Sequence, residues 1–258
     1  MSARCLSASL LLVASLSSPS AAHECGVDVP GVLFAGCAGE TTARLSLVGE
    51  GGVIADPASA AARQVTVTGS YTSGERREPE GLFIVGGEAL DPVPQGWDGV
   101  ALIDERGRLT LHHVERVDVG NERFDLRRKP SRRAFARAAK ARGWSAFQSH
   151  MLVIDGKVDT RPREGASRFA RRMLYTLEDG SVGLYQTPSL TLHEAALAIH
   201  EALSPVMAFN LDMGSYDYCR IDGENARDCG SLPASQTGKL SNVLTLSKGT
   251  TETAAVVE

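Results

Sequence analysis

Short runs in which apolar and polar residues alternate, closed by glycine or an Asp-Gly pair, recur along the chain. They constrain its fold more than any other feature. A period of two puts every second side chain on one face of an extended segment, which a helix cannot do. Residues 43–48 and 63–68 (RQVTVT) alternate, and residues 81–85 (GLFIV), 99–103 (GVALI) and 108–114 (RLTLHHV) follow. Gly86-Gly87 and Asp104-Glu105-Arg106-Gly107 read as connections between them. Extended runs return at residues 146–154, 173–177, 181–186 and 239–246, with Asp155-Gly156 and Asp179-Gly180 as turns. The chain is 43% hydrophobic and 22% charged, a balance that buries a core and excludes collagen, coiled coil and bulk disorder.

Two stretches break the period. Residues 131–142 (SRRAFARAAKAR) read as a helix with Ser131 as N-cap and Gly143 just past its end. Phe135, Ala138 and Ala139 form its narrow apolar face; Arg133, Arg137 and Lys140 lie opposite. Residues 191–203 read as a second helix. There Thr191 and Glu194 fit a capping box, Leu192, Ala195, Ala196, Ile199 and Leu203 make one stripe, and Pro205 stops the helix. The next run, residues 206–211 (VMAFNL), suits a central strand covered on both faces. The predicted class is α+β, a mixed, largely antiparallel sheet core with at least two packed helices. No internal repeat and no convincing domain boundary divides it.

The first residues read differently. Arg4, the apolar residues 6–16 and the small residues Ser20-Ala21-Ala22 fit a secretory signal peptide over residues 1–22, which predicts a secreted or periplasmic protein. Glu24 before Cys25 argues against a lipoprotein cysteine. Removal of residues 1–22 would leave Cys25, Cys37, Cys219 and Cys229, an even set that favours disulfides. Three pairings are open; the local one, Cys25–Cys37 with Cys219–Cys229, is expected. No CxxC spacing supports zinc, so no metal is expected. No second apolar run reaches about 18 residues, so stable membrane insertion is not expected. Residues 23–64 read as an N-terminal extension with the first strands, and residues 248–258 as a loose tail.

With a formal charge of −4 the chain is not built for bulk capture of nucleic acid, and no nucleic-acid partner is expected. Residues 123–142 nevertheless carry nine basic residues against one acid, Asp125, either an anion-binding surface or a solvated face. The most informative stretch is residues 206–219 (VMAFNLDMGSYDYC). Asn210 and Asp212, two apart, share one face of a strand that ends beside Gly214 and Ser215. An Asx turn closing the strand is the structural alternative. Arg168, Arg171 and Arg172 precede another strand, and a guanidinium binds phosphate or carboxylate through paired hydrogen bonds. His193 and His200 are seven apart, not the four of a zinc HExxH helix, and are expected to face solvent; His112 and His113 point to opposite faces of their strand. No GxSxG, P-loop or GxGxxG is present, and no cofactor is expected.

The order of QSHMLVIDGK, Arg171 eight residues before Asp179-Gly180, LTLHEAALAIHEAL and AFNLDMGS resembles the phosphodiester glycosidase family. Ser241-Asn242-Val243-Leu244 is similar to its closing strand, and Gly69-Ser70-Tyr71 and Glu80-Gly81-Leu82 resemble two upstream segments. The resemblance makes residues 65–247 one phosphodiester glycosidase-like domain. It implies Arg171 as the cation that holds the diester and Asp212 as base, nucleophile or oxocarbenium stabiliser. It implies Asn210 as a hydrogen-bonding partner of sugar or phosphate, with Gly214, Ser215, His150, Gln148, Tyr71 and Arg168 lining the site. The leaving group is a phosphate, so little general-acid help is needed. The chain departs from the family pattern where an Asn gives way to Val67, Thr68 or Ser70, where a Gly-Pro becomes His150, where Asp-Gly-Gly becomes Asp212-Met213-Gly214, and where a Gly becomes Tyr175. Two functions follow: a hydrolase acting on a sugar 1-phosphodiester, or a non-catalytic module on the same fold that binds carbohydrate or glycosyl phosphate.

Overall fold

The computed structural model describes residues 28–52, 54, 63–74, 77–91, 93–223 and 226–248. The expected signal peptide, Cys25 and residues 249–258 lie outside the described residues.

Alternation produces strands, as expected, and they assemble into three principal sheets. The first has the order β1 (Val32–Ala35), β14 (Val182–Leu190), β13 (Phe169–Thr176), β15 (Met207–Asn210), β11 (Met151–Ile154), β12 (Lys157–Val158). The second runs β5 (Glu88–Asp91), β4 (Phe83–Val85), β10 (Ser145–Ser149), β6 (Gly99–Ile103), β7 (Leu109–His113). The third runs β17 (Arg227–Asp228), β16 (Cys219–Asp222), β3 (Gln64–Thr68), β18 (Asn242–Lys248), β2 (Thr41–Leu47). A small ribbon joins β8 (Val117–Val119) and β9 (Glu122–Phe124). Pairings between described strands are antiparallel, and the fold is α+β.

One apolar core joins all three sheets: Phe34, Leu174 and Phe209 from the first, Phe83 and Phe147 from the second, Val67 and Leu244 from the third. Phe147 and Phe209 meet edge to face across it, with ring centroids 5.4 Å apart. Each helix covers the outer face of a sheet. Helix α1 (Lys129–Arg142) packs Phe135 and Ala139 on Ile84, Val100 and Leu102 of the second sheet. Helix α2 (Leu192–Leu203) packs Ala195, Ala196 and Ile199 on Leu152, Tyr175 and Ala208 of the first. The runs in β6 and β15 are buried throughout because both faces are covered. β3 is buried throughout as well, although its sequence alternates; Thr66 meets Thr245 hydroxyl to hydroxyl at 3.0 Å, which satisfies the polar face.

The start of α1 corrects the sequence reading by two residues. Lys129 and Pro130 occupy its first turn, where a proline's missing N–H costs nothing. The Ser131 hydroxyl does not cap the helix; it accepts the Asp125 amide at 2.9 Å. Gly143 does end α1, with φ 67. In α2 the capping box forms as expected, Glu194 N–H to Thr191 Oγ1 at 3.2 Å and Thr191 N–H to Glu194 Oε2 at 2.9 Å.

Candidate functional site

The site is built where β15 runs out. Beyond Asn210 the chain stays extended, held on one side by the Leu211 amide on the Arg172 carbonyl (2.9 Å) and on the other by the Asp212 amide on the Gly69 carbonyl (3.1 Å). Asn210 and Asp212 then reach one neighbouring segment, as their spacing predicts. Asn210 Nδ2 donates to the Tyr71 phenol oxygen at 2.8 Å and to the Leu211 carbonyl at 2.8 Å. Asp212 Oδ2 accepts the Thr72 amide at 3.0 Å, and its Oδ1 accepts the Met213 amide at 2.9 Å. The 70–72 segment is itself fixed by Asn242, whose amide accepts from Ser70 N–H at 2.8 Å and donates to the Ser70 carbonyl at 3.1 Å.

Asp212 is only 6% exposed. Burial pushes its carboxyl up to about 7, against the pull of the Thr72 and Met213 amides, and the Glu80 charge adds to the rise. A carboxyl that titrates near neutrality at a strand end is suited to proton transfer. Burial also raises the Tyr71 phenol; the Asp212 charge adds to this and the Arg171 charge opposes it, so both groups lie within electrostatic reach of Tyr71. Asp212 and Arg171 form no ion pair among the described residues. The Tyr71 phenol feels both charges.

Tyr71 accepts from Asn210, so its own proton is free to donate. The Ser149 hydroxyl lies near enough to favour the ionised phenol but falls outside hydrogen-bonding geometry. Ser149 Oγ and Asn210 Oδ1 are both buried and make no hydrogen bond among the described residues, an unmet polar demand beside the phenol. Three rings gather here: Tyr71 and Trp97 lie 4.6 Å apart, and His150 meets each of them edge-on at 6.0 and 5.8 Å. Burial holds His150 below its ordinary pKa, opposed by the Asp98 charge, so its ring is largely neutral at pH 7.

Arg171 and Arg172 lie inside β13, not before it, and they face opposite ways. Arg172 is fully buried, with Nη2 2.9 Å from Asp217 Oδ1, Nη1 on the Tyr218 carbonyl and Nε and Nη2 on Gln186. It braces the first sheet to the 217–218 turn. Arg171 follows a slip in the ladder, where Ala170 pairs Ser189 but Arg171 pairs Thr187. The skipped residue, Pro188, has no N–H to lose at a bulge. Arg171 Nε and Nη2 are anchored on the Leu190 and Ser167 carbonyls at 3.1 and 3.3 Å, and Nη1 carries no hydrogen bond among the described residues. Arg171 also lines a cavity of about 550 Å³ with Arg161, Arg163, Glu164, Ser167 and His193.

The remaining expected residues divide. His150 and Tyr71 join the group. Gly214 and Ser215 lie exposed on the turn just beyond it, and Gly214 takes φ 73, which favours glycine. Met213 is extended and buried, a conformation that needs no glycine. Tyr175 fits because Gly183 pairs with it across the ladder and leaves room for the phenol. Gln148 is spent on structure: Oε1 accepts from Leu82 and Gln95 amides, and Nε2 donates to the Gln95 and Trp97 carbonyls. It holds the loop that carries Trp97. Arg168 turns away to Glu194 at 2.6 Å. His193 corrects an expectation: it lines the cavity, with Nδ1 3.0 Å from the Thr160 carbonyl. Sequence reasoning missed Trp97 and Thr72. Trp97, one of two tryptophans, sits in a Pro- and Gly-rich loop, a signal that was available. Cys219–Cys229 forms as expected. Cys37 is also disulfide-bonded; the Cys25 end of the expected pairing lies outside the described residues.

No helix among the described residues is long and apolar enough to cross a membrane. No family model matches the chain, and no curated protein matches it. Among solved structures it is similar to the catalytic domain of zebrafish N-acetylglucosamine-1-phosphodiester alpha-N-acetylglucosaminidase, auto-inhibited by pro-peptide. That match has 11% identity and a TM-score of 0.48 over 84% of this chain and 87% of that one. It is also similar to a hypothetical protein from Synechocystis, with 10% identity and a TM-score of 0.48 over 81% of this chain and 57% of that one. Neither likeness carries an assignment of activity.

Proposed function

We propose that the protein is an exported hydrolase that cleaves the glycosidic bond of a sugar 1-phosphodiester. The observation that carries this reading is Asp212: a carboxyl pinned by two backbone amides, raised to about 7, beside a phenol with a free proton and within reach of the same phenol as Arg171. In this reading Arg171 Nη1 holds the diester, and Trp97 and His150 flank the sugar ring. Water attacks the anomeric carbon, the bond from that carbon to the phosphate oxygen breaks, and the phosphomonoester leaves with the electron pair. Ionised Asp212 takes the water's proton. Tyr71 donates its hydrogen bond to the departing phosphate oxygen, where negative charge grows. The Cys219–Cys229 disulfide supports an oxidising compartment.

The test is incubation of the purified protein with synthetic sugar 1-phosphodiesters, following release of sugar and phosphomonoester. Asp212→Asn and Arg171→Lys are each expected to lower kcat/KM by about a hundredfold. Binding of a glycosyl phosphate without turnover, weakened by Arg171→Lys, would establish the non-catalytic module instead.

A further inference from the structure

The cavity of about 550 Å³ between the 160–167 loop and the start of α2 has no part in the Asp212 chemistry except through Arg171, which the two share. Its lining holds three guanidinium groups, on Arg161, Arg163 and Arg171, against one carboxylate, Glu164. That is an excess of two positive charges in a chain whose formal charge is −4, so the cavity is positive by local arrangement and not through general basicity. Arg161 and Arg163 form no ion pair among the described residues, unlike Arg168 close by, which Glu194 neutralises. Arg171 is fixed by its two carbonyl contacts, so its orientation is set before any ligand arrives. His193 Nδ1 lies 3.0 Å from the Thr160 carbonyl and 3.3 Å from its hydroxyl, which ties the cavity wall at α2 to the 160–167 loop.

Two free planar forks in one lining, on Arg161 and Arg163, beside the anchored Arg171, match a tetrahedral group with several oxygens better than a carboxylate with two. We infer that this cavity is a subsite for a second phosphate group, so that the substrate is a glycan with phosphate on successive units, not an isolated sugar 1-phosphodiester. The inference rests on the hydrolase reading and extends it to the substrate class. Free inorganic phosphate offers the same chemistry, and the experiment separates the two sources.

Two sugar 1-phosphodiesters are compared, alike except that one bears a second phosphate on the leaving side. The expected result is at least a roughly tenfold higher kcat/KM for the bisphosphorylated compound, lost in the double variant Arg161→Ala/Arg163→Ala. Turnover of the singly phosphorylated compound should stay within about twofold of the parent protein. Arg133→Ala/Arg137→Ala on the exposed face of α1 should change neither rate. Equal loss in both double variants would overturn the inference in favour of general surface charge. Equal rates for the two compounds in the parent protein would overturn it while leaving the hydrolase reading intact. Calorimetry covers the case in which nothing turns over. A glycan fragment with two phosphates that binds at least about tenfold more tightly than inorganic phosphate, through Arg161 and Arg163, keeps the subsite although the hydrolase reading fails. Inorganic phosphate binding as tightly as the fragment makes this a site for the free ion and overturns the assignment to substrate. Malonate binding as tightly as phosphate, or no binding at all, overturns it too.

Discussion

Replacing Asp212 by asparagine should alter stability in a direction that reverses with pH. In the folded protein the Asp212 carboxyl titrates at about 7, against an ordinary value of 3.8. Its folded pKa lies above its unfolded one, so between about pH 4 and pH 7 the folded state holds a proton that the unfolded state has released. Stability therefore falls as pH rises through that window, by about 1.4 kcal/mol per pH unit at the steepest, for a total of about 4 kcal/mol as an upper limit. The Asp212→Asn side chain has no such titration. Its amide offers one acceptor oxygen where both oxygens of the carboxyl group, the protonated one included, can accept from the Thr72 and Met213 amides, so one buried N–H loses its partner at a cost of about 1–3 kcal/mol. Asp212→Asn should thus be less stable than the parent near pH 4.5 and equal or more stable at pH 8, with the crossover between. Urea unfolding followed by circular dichroism at about pH 4.5, 6 and 8 measures this directly. A stability difference that stays constant across those pH values would show that Asp212 titrates as a solvated carboxyl and would remove the physical basis for its role. A parent protein that gains on Asp212→Asn as pH rises would mean that a cation stabilises the carboxylate, which the geometry does not provide.

Other consequences follow from the same contacts. On a confirmed substrate, kcat/KM should rise with pH through about 7 as Asp212 ionises, and a profile that falls there would make Asp212 the acid and not the base. Tyr71→Phe should lower kcat/KM by about ten- to a hundredfold with a melting temperature within a few degrees of the parent, since Tyr71 loses only the Asn210 contact and its free proton. Arg172→Leu leaves Asp217 buried without its partner and should cost about 3–5 kcal/mol, while Arg171→Lys should leave the melt nearly unchanged; similar melts for the two would mean that the neighbouring arginines do not divide the work as their burial suggests. Cys219→Ser/Cys229→Ser opens a loop of ten-residue separation and should cost about 3 kcal/mol in urea unfolding.

What the sequence determined is local. The capping box and stripe of α2 are set by residues three and four apart, and the helix forms where they place it. Strands β3, β6 and β7 lie where period two and turn residues put them, whereas the single run expected over residues 146–154 divides at His150 into β10 and β11 of different sheets; Asn210 and Asp212 reach one segment because a strand repeats every two residues. Local rules failed where a side chain had a distant partner. Ser131 looks like an N-cap until the Asp125 amide claims its hydroxyl. Gln148 looks like a ligand-binding amide until the backbone of Leu82, Gln95 and Trp97 takes all its capacity. Arg171 and Arg172 are chemically alike in the sequence; the bulge at Pro188 and the position of Asp217 make one a site residue and the other a buried brace. The division into three sheets was not legible either, because strand partners are chosen by surfaces far apart in the chain: Val67 lies beside Cys219 and Leu244, and no spacing rule predicts that. Trp97 likewise reaches Tyr71 only because Gly81, with φ 77, leaves space where a Cβ would fall 3.0 Å from the indole. The raised carboxyl of Asp212 is the same kind of fact. An aspartate after a strand is written in the sequence, but its burial, and so its pKa, is decided by everything that packs around it.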